Sequence, residues 1–188
     1  MKPTNPYALS LDPRDFLRES GENFAALDNA WKNAKNQGMP VFPILSDCLD
    51  ACLVHIDALI LCGLRREALM TAVSMLISID MCDIPSDDFN WPYIVLSLRL
   101  LESAITLYND SFGDEFALPH AQAVLGHAAR LFLLALSQAP KEIPSSDALK
   151  ITGMAESCRH FTEKHNATAF SKSESLVDIF ARLHALND

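Results

Sequence analysis

A long apolar stretch from Val41 to Asp80, interrupted by a single glycine at Gly63, constrains the fold of this chain more than any other feature. From Phe42 to Cys62, apolar residues occupy most positions around a helix drawn at about 100° per residue. A helix that is apolar almost all round is typical of one inside a bundle, with neighbours on several sides. The stretch therefore predicts a central buried helix, a break at Gly63, and a second helix from Arg65.

The first of these two helices keeps one narrow polar strip, formed by Ser46, Asp50 and Asp57. Together with Asp47, these charges are too closely spaced for a segment that crosses hydrocarbon, so no membrane partner is expected. Glycine readily takes the left-handed conformation that ends a helix. Because the connection at Gly63 is so short, we expect the two helices to lie antiparallel and in contact.

Helical periodicity continues through the rest of the chain, and no run of residues alternates as a strand does. We predict an all-α fold of about seven helices stacked as antiparallel hairpins, either as a repeat array or as an irregular helical bundle. Residues 1–22 are rich in proline and charge and predict an extended N-terminal arm, while residues 23–188 predict a single helical domain. The predicted helices span residues 23–36, 42–62, 65–80, 92–109, 119–138, 146–165 and 175–186.

The composition favours a globular protein and excludes some classes of partner. Apolar residues make up 49% and charged residues 21% of the chain, a balance typical of helical globular domains. The formal net charge of −9 repels phosphate backbones, so nucleic acid is not an expected partner. The five cysteines lack paired short spacings, and the start of the chain lacks the apolar run of a signal peptide. These features predict reduced thiols in a cytoplasmic protein.

Two segments carry small residues at spacings that let paired helices approach closely. In the first, Gly63 stands five residues before Ala68, and Glu67 comes just ahead of that alanine. The second has a small–aromatic–small–proline spacing: Ala128, Phe132, Ala135 and Pro140. These segments, about a third of the chain, resemble the tetratricopeptide repeat, a helical hairpin of about 34 residues. The family's aromatic, leucine-glycine and tyrosine pattern in the first helix has no counterpart here. The resemblance implies stacked helical hairpins with a peptide-binding role.

Two groups of side chains are candidate functional sites. The first comprises acidic and aromatic residues of the segments that flank the predicted fourth helix: Asp87, Asp88, Phe89, Trp91, Phe112 and Phe116. The second is Cys48, Cys52 and His55, whose spacing places sulfur and imidazole on one helix face. Zinc or another soft metal would accept these ligands if a neighbouring element supplied a fourth. The same residues also suit tight helix packing around a hydrogen-bonded core histidine.

The sequence favours a non-catalytic protein- or peptide-binding adaptor or chaperone-like regulator, with no cofactor and no catalytic residue. Its partner would dock in an apolar groove between hairpins, and acidic groups at the rim favour a basic partner. The alternative is a small helical metal-binding protein or enzyme that uses the Cys48, Cys52 and His55 face. The last predicted helix has an apolar stripe that docks on its own body or on a second copy, so the sequence also allows a homodimer.

Overall fold

The computed structural model describes residues 12–80, 91–110, 121–122, 124–126, 128–129, 132–133 and 145–170. Its helices are α1 (Pro13–Asn36), α2 (Phe42–Leu61), α3 (Arg65–Asp80), α4 (Trp91–Asp110), α5 (the described positions within 121–133) and α6 (Ser145–Phe170). These ranges contain no strand, which confirms the predicted all-α fold. The seventh predicted helix, residues 175–186, lies outside the described residues, so the described helices number six.

The chain divides into two compact units, Met1–Met75 and Leu76–Asp188, with the boundary inside α3. In the first unit α1 packs on α2, and in the second α4 packs on α6. Among the described residues, no helix is both long and apolar enough to pass through a lipid bilayer. The single domain expected over residues 23–188 and the stacking of its helices as hairpins stay predictions.

α1 begins at Pro13, so the prediction of an extended arm is wrong for residues 13–22, while residues 1–11 lie outside the described part. Asp12 Oδ1 accepts a hydrogen bond of 2.8 Å from the amide of Arg14, and Pro13 occupies the first helical turn. An aspartate cap satisfies an amide that lacks a partner within the helix, and proline there loses no hydrogen bond. This local chemistry starts a helix where composition alone predicts an arm.

Both turns of the first unit depend on a glycine with positive φ, Gly38 at 67° and Gly63 at 77°. At the end of α2, the Leu64 amide donates to the Leu59 carbonyl at 2.9 Å, and the Gly63 amide donates to the Ile60 carbonyl at 3.0 Å. These two bonds form the Schellman motif, which ends a helix at a left-handed residue. The predicted break at Gly63 is confirmed.

α2 is buried on several sides, as predicted. Its buried side chains are Leu45, Cys48, Leu49, Ala51, Cys52, Leu53, Ile56, Ala58 and Leu59. At 100° per residue these positions cover roughly 220° of the helix circumference. The remaining arc carries the polar strip, so a single narrow side of α2 meets solvent.

α4 is the corresponding buried helix of the second unit, although its sequence predicts one apolar face, formed by Ile94, Leu98, Leu101, Ile105 and Tyr108. Its buried side chains are Tyr93, Ile94, Ser97, Leu98, Leu100, Leu101, Ala104, Ile105, Leu107 and Tyr108. Tyr108 makes an edge-to-face contact with Phe161 of α6, with ring centroids 5.5 Å apart and an interplanar angle of 83°. Each unit is thus organised around its own buried helix.

Candidate functional site

The residues predicted to contact a partner lie in parts of the chain that the structure does not describe: Asp87, Asp88, Phe89, Phe112 and Phe116. Trp91 is the first residue of α4, but its side chain is not among those described. The recognition role of these six residues therefore stays a prediction. The described part of the chain draws attention to a different place, the interface between α1 and α2.

α1 and α2 run antiparallel, and hydrogen bonds join them at two levels. The Cys62 thiol donates to the carbonyl of Pro13 at 3.3 Å, where α1 begins and α2 ends. Two turns further along α1, Ser20 Oγ lies 3.1 Å from His55 Nδ1. Residue numbers rise along α1 as they fall along α2, so the N-terminal half of α1 covers the C-terminal half of α2.

The imidazole ring of His55 fits closely against α1. The ring of Phe24 stacks on it at a centroid distance of 5.9 Å and an interplanar angle of 26°. A Cβ atom placed on Gly21 would come within 3.1 Å of His55 Cε1, closer than nearly all side-chain contacts. Glycine inside a helix costs stability of about 0.5–1 kcal/mol relative to alanine, and here it makes room for the ring.

The hydroxyl of Ser20 lies within hydrogen-bond distance of two groups. Its Oγ donates to the carbonyl of Leu17, one turn earlier in α1, at 3.0 Å, and lies 3.1 Å from His55 Nδ1. Which of the two atoms donates at the second contact depends on the tautomer of the imidazole. Ser20 is only 6% exposed, so the pair lies inside the interface between α1 and α2.

Burial lowers the pKa of His55 below its ordinary value. An imidazolium loses hydration when it leaves water, and the α1 residues that surround this ring offer no negative charge in return. Ser20, Gly21 and Phe24 are all uncharged. The ring is therefore neutral at pH 7 in the folded protein.

A second cluster lies further along the same interface, around Cys48. Trp31 Nε1 donates to Asp28 Oδ1 at 3.1 Å, and Lys32 Nζ forms an ion pair with Asp28 Oδ2 at 2.6 Å. Burial raises the pKa of Cys48 to about 12, and the carboxylate of Asp28 adds to the effect. Lys32 and a hydrogen bond from Trp31 act in the opposite direction. The thiol of Cys48 is therefore neutral and unreactive at pH 7.

The predicted metal ligands Cys48, Cys52 and His55 fall into two surroundings. Cys48 and Cys52 interact electrostatically with each other and with Asp28, whereas Ser20 and Phe24 contact His55. Burial raises the pKa of the Cys52 thiol. Within the described ranges, no group of three or more His, Cys, Asp or Glu side chains is arranged to hold a metal ion.

The solvent-facing side of α2 is acidic and ends at an exposed leucine. We call it the α2 strip, formed by Asp47, Asp50, Val54, Asp57 and Leu61. At 100° per residue these positions fall within about 80° of one another around the helix. The Leu61 side chain is 50% exposed, and Leu64 and Met70 of the adjoining turn and α3 are exposed as well. The α2 strip combines negative charge with solvent-exposed apolar surface.

Sequence reasoning placed Ser20, Gly21 and Phe24 in or beside an arm and so missed their part in the interface. The signal that would have found them is the pair Asp12-Pro13, an N-cap aspartate followed by proline at the first helical position. The polar strip, in contrast, follows from the sequence, since Ser46, Asp50 and Asp57 share one side of any helix in this register.

Comparison of the chain with models of protein families, with curated proteins and with solved structures yields no match in any of the three. The likeness to the tetratricopeptide repeat therefore rests on the spacing of the residues that carry it.

Proposed function

We propose that this protein is a non-catalytic, cytoplasmic adaptor or chaperone-like regulator that binds a basic protein or peptide. The proposal is carried by one observation, the α2 strip, where exposed Asp47 and Asp50 share a helix side with the exposed Leu61. A partner helix with a basic edge and an apolar anchor complements such a surface in both charge and hydrophobicity.

Three further features support a binding role. The formal net charge of −9 favours encounter with positively charged partners. Leu61, Leu64 and Met70 lie within ten residues of chain, so their exposed apolar side chains are concentrated near the turn between α2 and α3. Arg65 and Arg66 follow this turn directly and carry positive charge. The negative charge of this surface therefore lies on the α2 strip and not at the turn.

The experiment that tests the proposal starts from a displayed library of random peptides selected on the immobilised protein. We expect enriched sequences that combine lysine or arginine with a large apolar residue. Their affinity, measured by fluorescence anisotropy, should fall as salt rises, because the exposed charges of the α2 strip are screened. A selection that enriches no peptide, or only acidic ones, would contradict the proposal.

Two variants locate the binding surface on the protein. In Leu61→Ser the apolar anchor is lost, and in Asp47→Asn with Asp50→Asn the exposed charge is lost. We expect each to weaken peptide binding about tenfold, a change of about 1.4 kcal/mol. Met39→Ser is the matched control, since Met39 is 49% exposed but belongs to the turn between α1 and α2. Equal affinity in all three proteins would remove the α2 strip from the binding site.

A further inference from the structure

The side chains of the α2 strip follow one another at alternating intervals of three and four residues: Asp47, Asp50, Val54, Asp57 and Leu61. This is the spacing at which two helices keep a common line of contact, because a repeat of about 3.5 residues is close to the 3.6 or so of one helical turn. Against this repeat a straight helix drifts by only about 20° in seven residues. A second helix that crosses α2 at about 20° therefore meets the strip over its whole length of about 21 Å.

The negative charge of the α2 strip has no counterpart within its own helix. α2 contains no lysine or arginine, and none of its acidic residues lies in its first turn, where the helix dipole would favour them. Asp47 and Asp50 are exposed, and neither side chain forms an ion pair or a hydrogen bond with another side chain in the described part of the chain. Positive groups from outside α2 would therefore complement the strip.

Leu61 gives the α2 strip an apolar end. Its side chain is 50% exposed, and Val54, seven residues earlier in the same row, is partly exposed. Along α2 the strip thus changes from acidic at Asp47 and Asp50 to apolar at Leu61. A partner that lies along the whole strip must match this order, with positive charge at one end and an apolar side chain at the other.

The chemistry of the α2 strip favours one of the recurring ways in which proteins recognise peptides. An extended peptide adds to the edge of a sheet, and the described residues contain no strand. A polyproline segment docks on aromatic side chains, and the five residues of the strip include none. Phosphorylated and acidic peptides bind to arginine clusters, whose charge is opposite to that of the strip. An amphipathic helix laid along α2 is the mode that fits.

We propose that the α2 strip pairs with a single amphipathic helix of a partner protein, which runs antiparallel to α2. This inference rests on the proposed function and specifies the partner of the same surface. The contact residues of the partner helix recur at intervals of three and four. Those in its N-terminal half are mainly apolar and meet Val54 and Leu61, and those in its C-terminal half are basic and meet Asp47 and Asp50.

The antiparallel direction follows from the dipole of the partner helix. Asp47 and Asp50 lie in the N-terminal half of α2, and Leu61 is its last residue. In an antiparallel pair, the basic residues that meet the two aspartates belong to the C-terminal half of the partner helix, toward the end where the dipole favours cations. In a parallel pair they would belong to its N-terminal half, toward the end where cations are disfavoured. The order of charge along α2 therefore selects the antiparallel pair.

Three synthetic peptides, each three heptads long, test the pairing on the full chain. The matched peptide has five contact positions at heptad spacing, with leucine at the first and third and arginine at the other three, on a background of alanine and glutamine. The reversed peptide carries the same contact residues in the opposite order. The broken peptide has a proline at a central background position, which removes the helix but keeps the charge and the leucines.

We expect the matched peptide to bind about tenfold or more tightly than the other two, as measured by fluorescence anisotropy, a difference of about 1.4 kcal/mol. The reversed peptide places its arginines opposite the aspartates only in a parallel pair, and the broken peptide cannot follow the strip as a helix. Carbon chemical shifts of the isotope-labelled matched peptide should become helical when it binds.

An exchange of charges locates the pairing on the protein. Asp47→Arg with Asp50→Arg should weaken binding of the matched peptide about tenfold or more. Binding should return with a peptide whose last two contact arginines are replaced by glutamate. Glu19→Arg with Glu22→Arg is the matched control, because it changes the net charge equally at two exposed positions of α1. At about 0.15 M salt, which screens distant charges, it should leave both affinities nearly unchanged. If the first variant folds poorly, Asp50→Arg alone is paired with a peptide changed at its fourth contact position.

The outcomes separate this pairing from the proposed function. If no basic peptide binds, neither the matched one nor any from the library, the proposed function fails and the pairing fails with it. If basic peptides bind but the matched peptide binds no better than the reversed or the broken one, the strip remains a binding surface and the antiparallel helix is wrong. Charge exchange that weakens binding without restoring it to the glutamate peptide would also overturn the pairing.

Discussion

Ser20 Oγ and His55 Nδ1 lie 3.1 Å apart across the interface between α1 and α2. The contact joins a segment rich in proline and charge to the buried helix of the first unit. Gly21 and Phe24 complete the surroundings of the same imidazole ring. The start of α1 at Pro13 brings Ser20 into position for this contact.

The capping of α1 by Asp12 leads to the first prediction. Asp12→Ala should lower the free energy of unfolding by about 1 kcal/mol, because the amide of Arg14 loses its acceptor. Asp12→Asn keeps a side-chain oxygen at the same place and should change stability far less. Urea denaturation of the three proteins gives the comparison. Equal stability of the alanine and asparagine variants would mean that the cap contributes nothing.

Gly21 and Gly153 both lie inside helices, yet their surroundings differ, and this gives the second prediction. Among the described residues, apart from the adjacent residues and the nearby backbone of α6 itself, no atom lies within 4 Å of a Cβ placed on Gly153, so Gly153→Ala should stabilise the protein by about 0.5–1 kcal/mol. Gly21→Ala gains the same helix propensity but pushes a methyl group against His55. Thermal unfolding should therefore show a smaller gain for Gly21→Ala than for Gly153→Ala. An equal gain in stability at both sites would mean that the imidazole ring of His55 does not lie against Gly21.

The burial of α2 gives the third prediction. Leu53 is 7% exposed, and Leu53→Asp should unfold the first unit, because an unpaired carboxylate in the core costs several kcal/mol. Leu61→Asp introduces the same charge on the same helix, at a side chain that faces solvent, and should keep the helical signal in circular dichroism. If Leu53→Asp retains the melting temperature of the unmodified chain, α2 is not the buried helix of this unit.

The thiols give the fourth prediction. Burial raises the pKa of Cys158, like that of Cys48, to about 12, and raises that of Cys52 as well. A thiol reacts as its thiolate, so these three should resist alkylation of the folded protein at neutral pH. Cys62 is partly exposed and should react before them, as mass spectrometry of the labelled peptides would show. Labelling of Cys48 ahead of Cys62 would contradict the packing of α1 on α2.

Much of the fold follows from the sequence, because the relevant signals are local. Residues that are close together in the sequence are enough to recognise the apolar run from Phe42, the glycine at position 63 and the helical periodicity of α4. The start of α1 was missed because composition outweighed one capping signal, the pair Asp12-Pro13. The extent of burial in α4 was missed for a different reason. Leu100 and Leu107 lie about 120–140° around the helix from the centre of its predicted face, and their burial depends on which other elements surround the helix.

The candidate site was harder to predict than the fold. Cys48, Cys52 and His55 share one side of α2, so spacing alone suggests a common ligand. Their partners come from α1, where Asp28 acts on both cysteines while Ser20 and Phe24 contact His55. Pairing between helices is a long-range property that the residues of a single helix do not encode.

The central structural claim is that α1 begins at Pro13 and lies antiparallel on α2, with the His55 ring against Gly21. A nuclear Overhauser experiment between the His55 Cε1–H and the α-protons of Gly21 tests it most directly. A Cβ on Gly21 would be 3.1 Å from His55 Cε1, so an α-proton lies close enough for a strong cross-peak. The Tyr108–Phe161 ring contact in the second unit provides an internal reference. A strong Gly21 cross-peak, with weaker ones from Phe24, is the predicted result. Cross-peaks from His55 to other segments, with none to Gly21 or Phe24, would contradict the pairing of α1 with α2.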